Sequence, residues 1–390
     1  MLKSLAYIWI AILLTVPLFG QHIQRCSTVI SQDDMSSSSI NLATSSWNRG
    51  VLGFELVIHV VQLPNQAPIS DQQILNQIEV LNAAFMGDQL SQSIIPAAFA
   101  SSIDIPNFSF CLATQDPDGQ STTGIIRKET EVIHIAATDN IKSSTTGGSD
   151  AWDPNQYINI WIGDTGGLFI GRATFPDGVP AENQGIIMDV NYFGGEDDLI
   201  GKAPYDLGKT LVHEMGHFFG LEHTWGSSLA DCSIDDGIAD TPWTASTYLN
   251  TCLNEAYTCS SMDMTGNFMT YSNDACLVYF TKGQISMMRQ VILQYRPALI
   301  GTCIGQAIQG DVLKTQVKAA DLSGWLVQFE SANSIDDIQY VLYNLGGQSI
   351  IIGSTEANEQ VFLPLSNAPR GIYILTVVQG AEKQALKLFR

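Results

Sequence analysis

One short stretch, residues 211–223 (LVHEMGHFFGLEH), contains three of the six histidines in the chain. On a helix, His213 and His217 are four residues apart, so they project from one face toward a common ion. Gly220 can adopt the left-handed conformation that ends a helix, and the turn would bring His223 back as a third ligand. Three imidazoles with one open position are the ligand set of a catalytic zinc rather than a structural one.

Glu214 follows the first of these histidines and can hold a water without binding the ion. Zinc lowers the pKa of bound water toward about 7. We expect Glu214 to take the proton from that water as it attacks a peptide carbonyl, and then to pass it to the leaving amine. A helix with incidental histidines is the alternative for a bare HExxH motif, but the added glycine and third histidine argue against it.

A second string, NFMTY at residues 267–271, lies downstream. A methionine turn beneath the metal, with a tyrosine two residues later, is the companion signature of the metzincin metallopeptidases. We expect Met269 to underlie the zinc without touching it and Tyr271 to donate its hydroxyl to the tetrahedral intermediate. Ordinary core packing would explain the string if it stood alone, so its meaning depends on the histidine motif.

Four strings resemble, in order, those of the pappalysin branch of the metzincins: FCLATQDPDG, HEMGHFFGLEHTWG, CSIDDGIADTPW and NFMTYSNDAC. The resemblance implies an α+β catalytic domain, which we place at residues 50–303. It would have an α/β upper subdomain with a twisted, mostly parallel sheet, an active-site helix and an irregular lower subdomain. The resemblance also implies the disulfides Cys232–Cys259 and Cys252–Cys276, although four cysteines permit three pairings. The sequence predicts no role for Cys111 and Cys303.

The same resemblance implies a calcium site and a specificity pocket. Asp236 and Thr241, with the backbone carbonyls of Ile234 and Ala239, match calcium ligands of similar pappalysins; a solvated acidic loop is the alternative. Asp274 falls where relatives with basic specificity carry the acid at the base of their pocket. Such a carboxylate would select Arg or Lys immediately after the scissile bond, whereas a surface aspartate in a turn would not.

The N-terminal residues predict export and latency. Residues 1–20 combine a basic start, an apolar run and a small final residue, as a secretion signal does, and the serine-rich residues 21–49 predict a removable pro-segment. Within it, Cys26 could occupy the open zinc position and displace the catalytic water, as in similar latent proteins; an incidental thiol is the alternative. Arg49 is a candidate activation point, because a basic-specific enzyme would cleave before it.

Composition restricts the partners. The 390 residues include 18 basic and 39 acidic ones, a formal net charge of −21, so nucleic acid and anionic membranes are poor partners. No stretch after the signal is long and apolar enough to span a bilayer. The sequence therefore predicts a secreted endopeptidase acting on proteins and peptides. A non-catalytic metal-binding adhesin is the alternative, and the presence of Glu214 argues against it.

Hydrophobic patterning predicts the elements that position these residues. His59 and His134 fall within predicted strands and are interpreted as core residues rather than ligands. Asp206 is the predicted cap of the zinc helix. Two further helices are predicted from capping-box patterns, Ser70 with Gln73 and Thr281 with Gln284. The predicted strands are 54–62, 108–113, 131–136, 157–162 and 185–190, the last one at the sheet edge over the cleft.

Residues 304–390 contain neither cysteine nor histidine and predict a small all-β sandwich. The strings NLGGQ and RGIYI and the basic ending resemble C-terminal sorting domains of the type IX secretion system. This resemblance implies that the secretion machinery is a partner and that the protein is extracellular or at the outer-membrane surface. An accessory module that binds glycans or proteins is the alternative.

Overall fold

The computed structural model describes 24–28, 51–87, 90, 95–176, 179–226, 231–301 and 303, and then 313–319, 324–331, 338–344, 348–356, 359–365, 368–369, 372–379 and 382–389. The predicted secretion signal, Arg49 and most of the predicted pro-segment lie outside these residues. A search of the described residues found no helix with the length and apolar character needed to cross a membrane.

A mostly parallel, seven-stranded sheet forms the centre of the region that contains the histidine motif. Its order is β1-β7-β8-β6-β2-β4, with β5 also paired to β2, and only β7 and β8 run antiparallel to each other. A separate ribbon pairs β3 with β9. The strands are β1 (Gln24–Cys26), β2 (Leu52–Gln62), β3 (Ile103–Asp104), β4 (Phe108–Leu112), β5 (Ile125–Glu129), β6 (Ile158–Gly163), β7 (Phe169–Ala173), β8 (Ile186–Asp189) and β9 (Phe280–Thr281).

Three α-helices pack on this framework: α1 (Asp71–Phe85), α2 (Lys209–Phe218) and α3 (Lys282–Tyr295). The predicted capping box at Thr281 is present and opens α3. At α1, the Ser70 hydroxyl accepts from the Gln73 backbone N–H. The prediction for α2 is wrong, because the helix begins at Lys209 after Gly208 and has no side-chain cap of its own.

An aromatic cluster holds α1 and α2 to the sheet. Phe54 of β2, Phe85 of α1, Phe108 of β4 and Phe219 after α2 are all buried, and their contacting rings have centroids 5.1–6.4 Å apart. Such rings bury large apolar surfaces and prefer defined tilted arrangements. The cluster therefore fixes the position of the helix that carries the histidines.

The predicted strand at 131–136 is wrong. Val132 and Ile133 are exposed, His134 has a left-handed backbone (φ 54°), and only the following residues are buried, in a 3-10 turn. Strand pairing with β2 comes instead from β5, which lies just before this run. His134 is half exposed and pairs with Asp164, so its interpretation as a core residue is also wrong. An apolar run without alternation does not by itself distinguish a strand from a short turn.

The predicted edge position of residues 185–190 is wrong as well. β8 lies inside the sheet, between β6 and β7, and β7 in turn lies between β8 and β1. The glycine-rich sequence before and within β7 hid it from pattern analysis, since glycine is depleted in strands. β1, from the predicted pro-segment, pairs with β7 in parallel.

A disulfide between Cys111 of β4 and Cys303 closes the framework across 192 residues of sequence. It joins the sheet to the segment that follows α3, where the backbone N–H of Gly301 donates to the carbonyl of Gly53. The bond gives both cysteines a structural role that the sequence left open.

The C-terminal strands form two antiparallel sheets, ordered β10-β11-β14 and β13-β12-β15-β16. Buried side chains from both, including Trp325, Tyr340 and Tyr373, belong to one apolar cluster. The strands are β10 (Leu313–Ala319), β11 (Gly324–Ser331), β12 (Ile338–Asn344), β13 (Ser349–Thr355), β14 (Gln360–Pro364), β15 (Ile372–Gln379) and β16 (Glu382–Phe389).

His59 is a buried core residue, as its position in β2 predicted. Its ring nitrogens lie 2.8 Å from Ser149 Oγ and 3.0 Å from Asn159 Oδ1, and the ring stacks on Trp161. Burial lowers the pKa of His59 to about 4. The neutral imidazole is therefore part of the folded state.

We predict that the free energy of unfolding falls as the pH drops from about 6.5 toward 4, because the unfolded chain takes up the His59 proton first. The contribution is complete above the unfolded pKa, is lost as the pH passes the folded pKa, and amounts to about 3 kcal/mol. Chemical denaturation of His59→Gln in an inactive Glu214→Gln background should show a flatter pH dependence. The matched control is His134→Gln at an exposed site, and an equal change there would contradict the assignment.

Candidate metal centre and active site

The three histidines of the motif meet at one point. His213 and His217 extend from the same face of α2, and Gly220 (φ 89°) reverses the chain after the helix. A hydrogen bond from Leu221 N to Gly216 O (2.9 Å) closes the turn and returns His223 to the same point. The three Nε2 atoms lie 3.1–3.2 Å from one another in the buried interior.

The hydrogen bonds of these rings fit a cation. His213 Nδ1 and His217 Nδ1 each lie 2.7 Å from a backbone carbonyl oxygen, which can only accept, so Nδ1 carries the proton and Nε2 offers a lone pair. Facing lone pairs repel unless a cation lies between them. Nitrogen ligands at 2.0–2.1 Å from a tetrahedral zinc are themselves about 3.3 Å apart, close to the separation seen here.

Burial keeps the imidazoles neutral, which is the form that binds metal. It lowers the pKa of His217 to about 4 and the pKa values of His213 and His223 well below their usual value, where neighbouring imidazoles add to the effect. The donor set therefore fits zinc.

Glu214 lies beside this centre and against β7. A Cβ at position 171 would lie 2.6 Å from Glu214 Cγ, so β7 needs a glycine there. Glu214 Oε2 accepts a hydrogen bond from the Thr28 hydroxyl (2.9 Å), whereas buried Oε1 has no hydrogen-bond partner. Burial raises the pKa of Glu214 to about 7. A carboxylate with such a pKa can exchange protons near neutral pH.

The second motif lies directly beneath the histidines. Met269 is fully buried, with its sulfur packed against Gly216 of α2. The ring of Tyr271 contacts His213 and His223, with centroids 5.6 and 5.0 Å apart. Trp225, which the sequence analysis did not single out, stacks on His223 at 4.4 Å and an interplanar angle of 7°. Aromatic rings thus hold the third histidine in place.

The thiol of Cys26 joins the histidine cluster. Its Sγ and the three histidine ligand atoms all lie within 4.8 Å of one another, and the structure describes Cys26 as a free, buried cysteine. Burial and the neighbouring Glu214 raise the pKa of this thiol, so a thiolate here needs a cation as its partner. The Tyr271 hydroxyl donates to the Cys26 carbonyl oxygen at 3.2 Å. Through Cys26, β1 thereby contacts the histidine cluster, Glu214 and Tyr271.

The predicted pocket acid, Asp274, is fully buried and paired. Its Oδ1 lies 2.7 Å from Nη2 of Arg25, the residue before Cys26, and both side chains are inaccessible to solvent. Arg25 Nη1 donates to the Ser272 carbonyl oxygen at 2.6 Å, and its Cζ lies 4.9 Å from the centre of the Tyr205 ring. The alternative of a surface aspartate in a turn is wrong, because Asp274 is fully buried.

The other oxygen of Asp274 closes the N-terminus of α2. Oδ2 accepts from the backbone N–H groups of Leu207 and Lys209, both at 3.1 Å. Unpaired N–H groups at a helix start favour a nearby negative charge. The cap predicted at Asp206 therefore comes from a residue that is distant in sequence.

The irregular segment between Cys232 and Cys276, called the braced loop below, is cross-linked as the resemblance implied. Its disulfides are Cys232–Cys259 and Cys252–Cys276. Asp236 is buried there. Its Oδ1 accepts from the Thr241 hydroxyl at 2.6 Å, its Oδ2 has no partner, and burial raises its pKa to about 8.

Sequence analysis missed four residues that touch this site: Arg25, Thr28, Tyr205 and Trp225. Arg25 carried the clearest signal, because a basic residue beside the predicted thiol could complement the predicted pocket acid. Thr28 and Tyr205 carried none, since only the folded chain brings them to the cleft.

Three histidines and a glutamate on and after one short helix, with a methionine turn and a tyrosine beneath them, are the arrangement of a metzincin metallopeptidase. A family model described as pregnancy-associated plasma protein-A, of the peptidase M43 class, matches residues 142–293. An extracellular metalloprotease of Arthroderma gypseum is 29% identical over 274 residues, which are 68% of this chain and 80% of that protein.

Two solved structures from Tannerella forsythia are similar. Mature mirolysin in complex with a cleaved peptide is 35% identical, with a TM-score of 0.60 over 64% of this chain and 96% of that chain. A promirolysin mutant is 34% identical, with a TM-score of 0.59 over 64% and 84%. The chain carries a peptidase M43 domain of the pappalysin family and is a metalloendopeptidase.

Proposed function

We propose that this protein is a secreted zinc endopeptidase that cleaves before Arg or Lys and is made as a latent precursor. One observation carries the proposal: Arg25 lies in the buried pocket of Asp274 while the adjacent Cys26 lies at the histidine cluster. The pro-segment thus offers a basic side chain to the pocket and a metal ligand to the catalytic centre.

In the mechanism, His213, His217 and His223 would hold the ion. Zinc, when bound, supplies Lewis acidity that activates water and stabilises negative charge on the peptide oxygen. Glu214 takes a proton on its unpaired Oε1 and delivers it to the leaving amine; in the precursor, burial raises its pKa to about 7. Tyr271, whose raised pKa keeps its hydroxyl protonated, donates a hydrogen bond where the Cys26 carbonyl accepts one in the precursor.

Asp274 determines specificity in this proposal, because its Oδ1 accepts the charge-assisted hydrogen bond of a basic side chain. We predict that Asp274→Asn lowers kcat/KM of the mature enzyme for peptides with Arg after the scissile bond by roughly 10- to 100-fold, as loss of such a bond costs 1.5–3 kcal/mol. Asparagine still offers an oxygen to Leu207 N and Lys209 N, so α2 should persist. The measurement compares peptides with Arg, Lys, neutral citrulline or Leu at that position.

The matched control is Asp206→Asn, which removes one negative charge near the start of α2. It should preserve the preference for Arg and Lys over citrulline. An Asp274→Asn enzyme that keeps this preference would show that another group recognises the cation.

Cys26 holds the precursor inactive in this proposal, because its thiolate occupies the position that water needs. We predict that Cys26→Ala raises the initial rate of the unprocessed precursor on a fluorogenic peptide at least tenfold, with processing monitored by mass spectrometry. The control is Ser27→Ala, since the Ser27 backbone N–H bonds to the Gly171 carbonyl and survives the change. Equal latency of the two variants would exclude the thiol as the lock.

We also propose a structural calcium ion in the braced loop, held by Asp236 and Thr241 with the carbonyls of Ile234 and Ala239. The unpaired, buried Oδ2 of Asp236 supports this, because a buried carboxylate oxygen without a partner is costly and calcium prefers oxygen ligands.

Calcium should raise the Tm of a Glu214→Gln precursor by several degrees in buffer that retains zinc, since a ligand stabilises the state that binds it. Asp236→Asn should abolish this increase, and Asp231→Asn, at a partly exposed position, should not. A Tm that does not respond to calcium in the parent protein would refute the site.

The proposed organisation is a signal at 1–20, a pro-segment at 21–49, a catalytic domain at 50–303 and a C-terminal sorting domain at 304–390. The relatives named extracellular metalloproteases support export. The two antiparallel sheets with a shared core support a β-sandwich in the C-terminal part.

A further inference from the structure

We propose that Tyr205 makes the pocket of Asp274 selective for arginine over lysine, and that Asn250 orients the Tyr205 ring. The inference rests on the proposed function, because it treats this pocket as the one that receives the residue after the scissile bond. Arg25 shows how a guanidinium is held there.

Three different groups contact the Arg25 guanidinium from three directions. Nη2 donates to Asp274 Oδ1 at 2.7 Å and Nη1 donates to the Ser272 carbonyl oxygen at 2.6 Å. Arg25 Cζ also lies over the Tyr205 ring, 4.9 Å from the ring centroid. The Tyr205 side chain is almost fully buried.

This arrangement matches a planar cation better than a spherical one. A guanidinium presents donors on separate nitrogens and a flat, weakly hydrated face, so it can satisfy two acceptors and stack on a ring at once. A lysine ammonium is a compact, strongly hydrated point charge on a shorter reach. It can pair with Asp274, but it would leave either the Ser272 carbonyl or the ring face without its contact.

The orientation of Tyr205 depends on one hydrogen bond. Its hydroxyl donates to Asn250 Oδ1 at 2.8 Å, and burial raises the pKa of Tyr205, so the hydroxyl stays protonated. Asn250 has a left-handed backbone (φ 56°), which asparagine adopts more readily than most residues.

The loop that carries Asn250 is attached to the pocket itself. The backbone N–H of Tyr271 donates to the Thr247 carbonyl and that of Asn273 to the Thr251 carbonyl, both at 2.9 Å. Asn250 therefore keeps a fixed position relative to the segment that contains Ser272 and Asp274. The hydrogen bond between the Tyr205 hydroxyl and Asn250 therefore fixes the orientation of the Tyr205 ring.

The experiment measures the ratio of kcat/KM for two peptides that differ only in Arg or Lys after the scissile bond, with the mature full enzyme. The unmodified enzyme should favour Arg by about tenfold or more. Tyr205→Leu should lower this ratio about tenfold, mainly through the Arg peptide, because a desolvated cation–π contact is of that magnitude. A ratio near one in the unmodified enzyme would overturn the proposal without any variant.

The positioning role of Asn250 has its own readout. Tyr205→Phe keeps the ring, and Asn250→Gly keeps the left-handed backbone, while each removes one side of the same hydrogen bond. Each should lower the Arg-to-Lys ratio about two- to threefold, and the double variant should lower it no further. Additive losses, or no loss in either variant, would remove Asn250 from the proposal.

The outcomes also separate this inference from the proposed function. If Tyr205→Leu keeps the Arg-to-Lys ratio while both peptides remain better than a Leu peptide, Tyr205 is not the selecting residue and the basic pocket stands. If the unmodified enzyme cleaves the Leu peptide as well as the Arg peptide, the basic pocket itself is wrong. The Tm of each variant identifies a change that merely unfolds the protein, and Tyr205→Phe and Asn250→Gly then provide the test.

Discussion

The active site depends on the position of Asp274, a single carboxylate that is fully buried. One oxygen accepts the N–H groups of Leu207 and Lys209 at the start of α2, and the other pairs with the Arg25 guanidinium. A buried carboxylate is tolerable only with such partners. The same group therefore fixes the helix that carries His213 and His217 and forms the acceptor for a cation.

The metal centre is built by the same principle of satisfying buried polar atoms. The Nδ1 protons of His213 and His217 are used by backbone carbonyls, which leaves the Nε2 lone pairs pointing at one another. Glu214 Oε1 and Asp236 Oδ2 are also buried without a partner. Unsatisfied groups are rare inside proteins. These two lie where a transferred proton and an ion are proposed, although other buried polar atoms of the described residues, such as the Tyr279 hydroxyl, also lack a partner.

The short strand β1 and the two residues after it contact several parts of the site. The strand extends the sheet at β7, offers Cys26 to the histidines and inserts Arg25 beside Asp274, and Thr28, two residues after its end, donates to Glu214. In the proposed precursor, these contacts support one another, because the strand pairing fixes the spacing at which three side chains reach three different groups. Removal of the segment would free all of them together.

The features predicted from the sequence are those whose residues lie close together along the chain. The histidine motif, the methionine turn and the capping box at Thr281 are all local, so helix periodicity and turn chemistry make them readable. Prediction of strands failed where apolar or glycine-rich runs had no clear period, as at 131–136 and in β7. Three contacts became evident only from the tertiary structure: β7 pairs with both β1 and β8, Cys111 pairs with Cys303, and Asp274, rather than Asp206, closes α2. Arg25 and Asp274 are separated by 249 positions, and Tyr205 and Asn250 by 45. Contacts over such distances leave no periodic pattern in one chain, because they arise only when the core brings separate loops together.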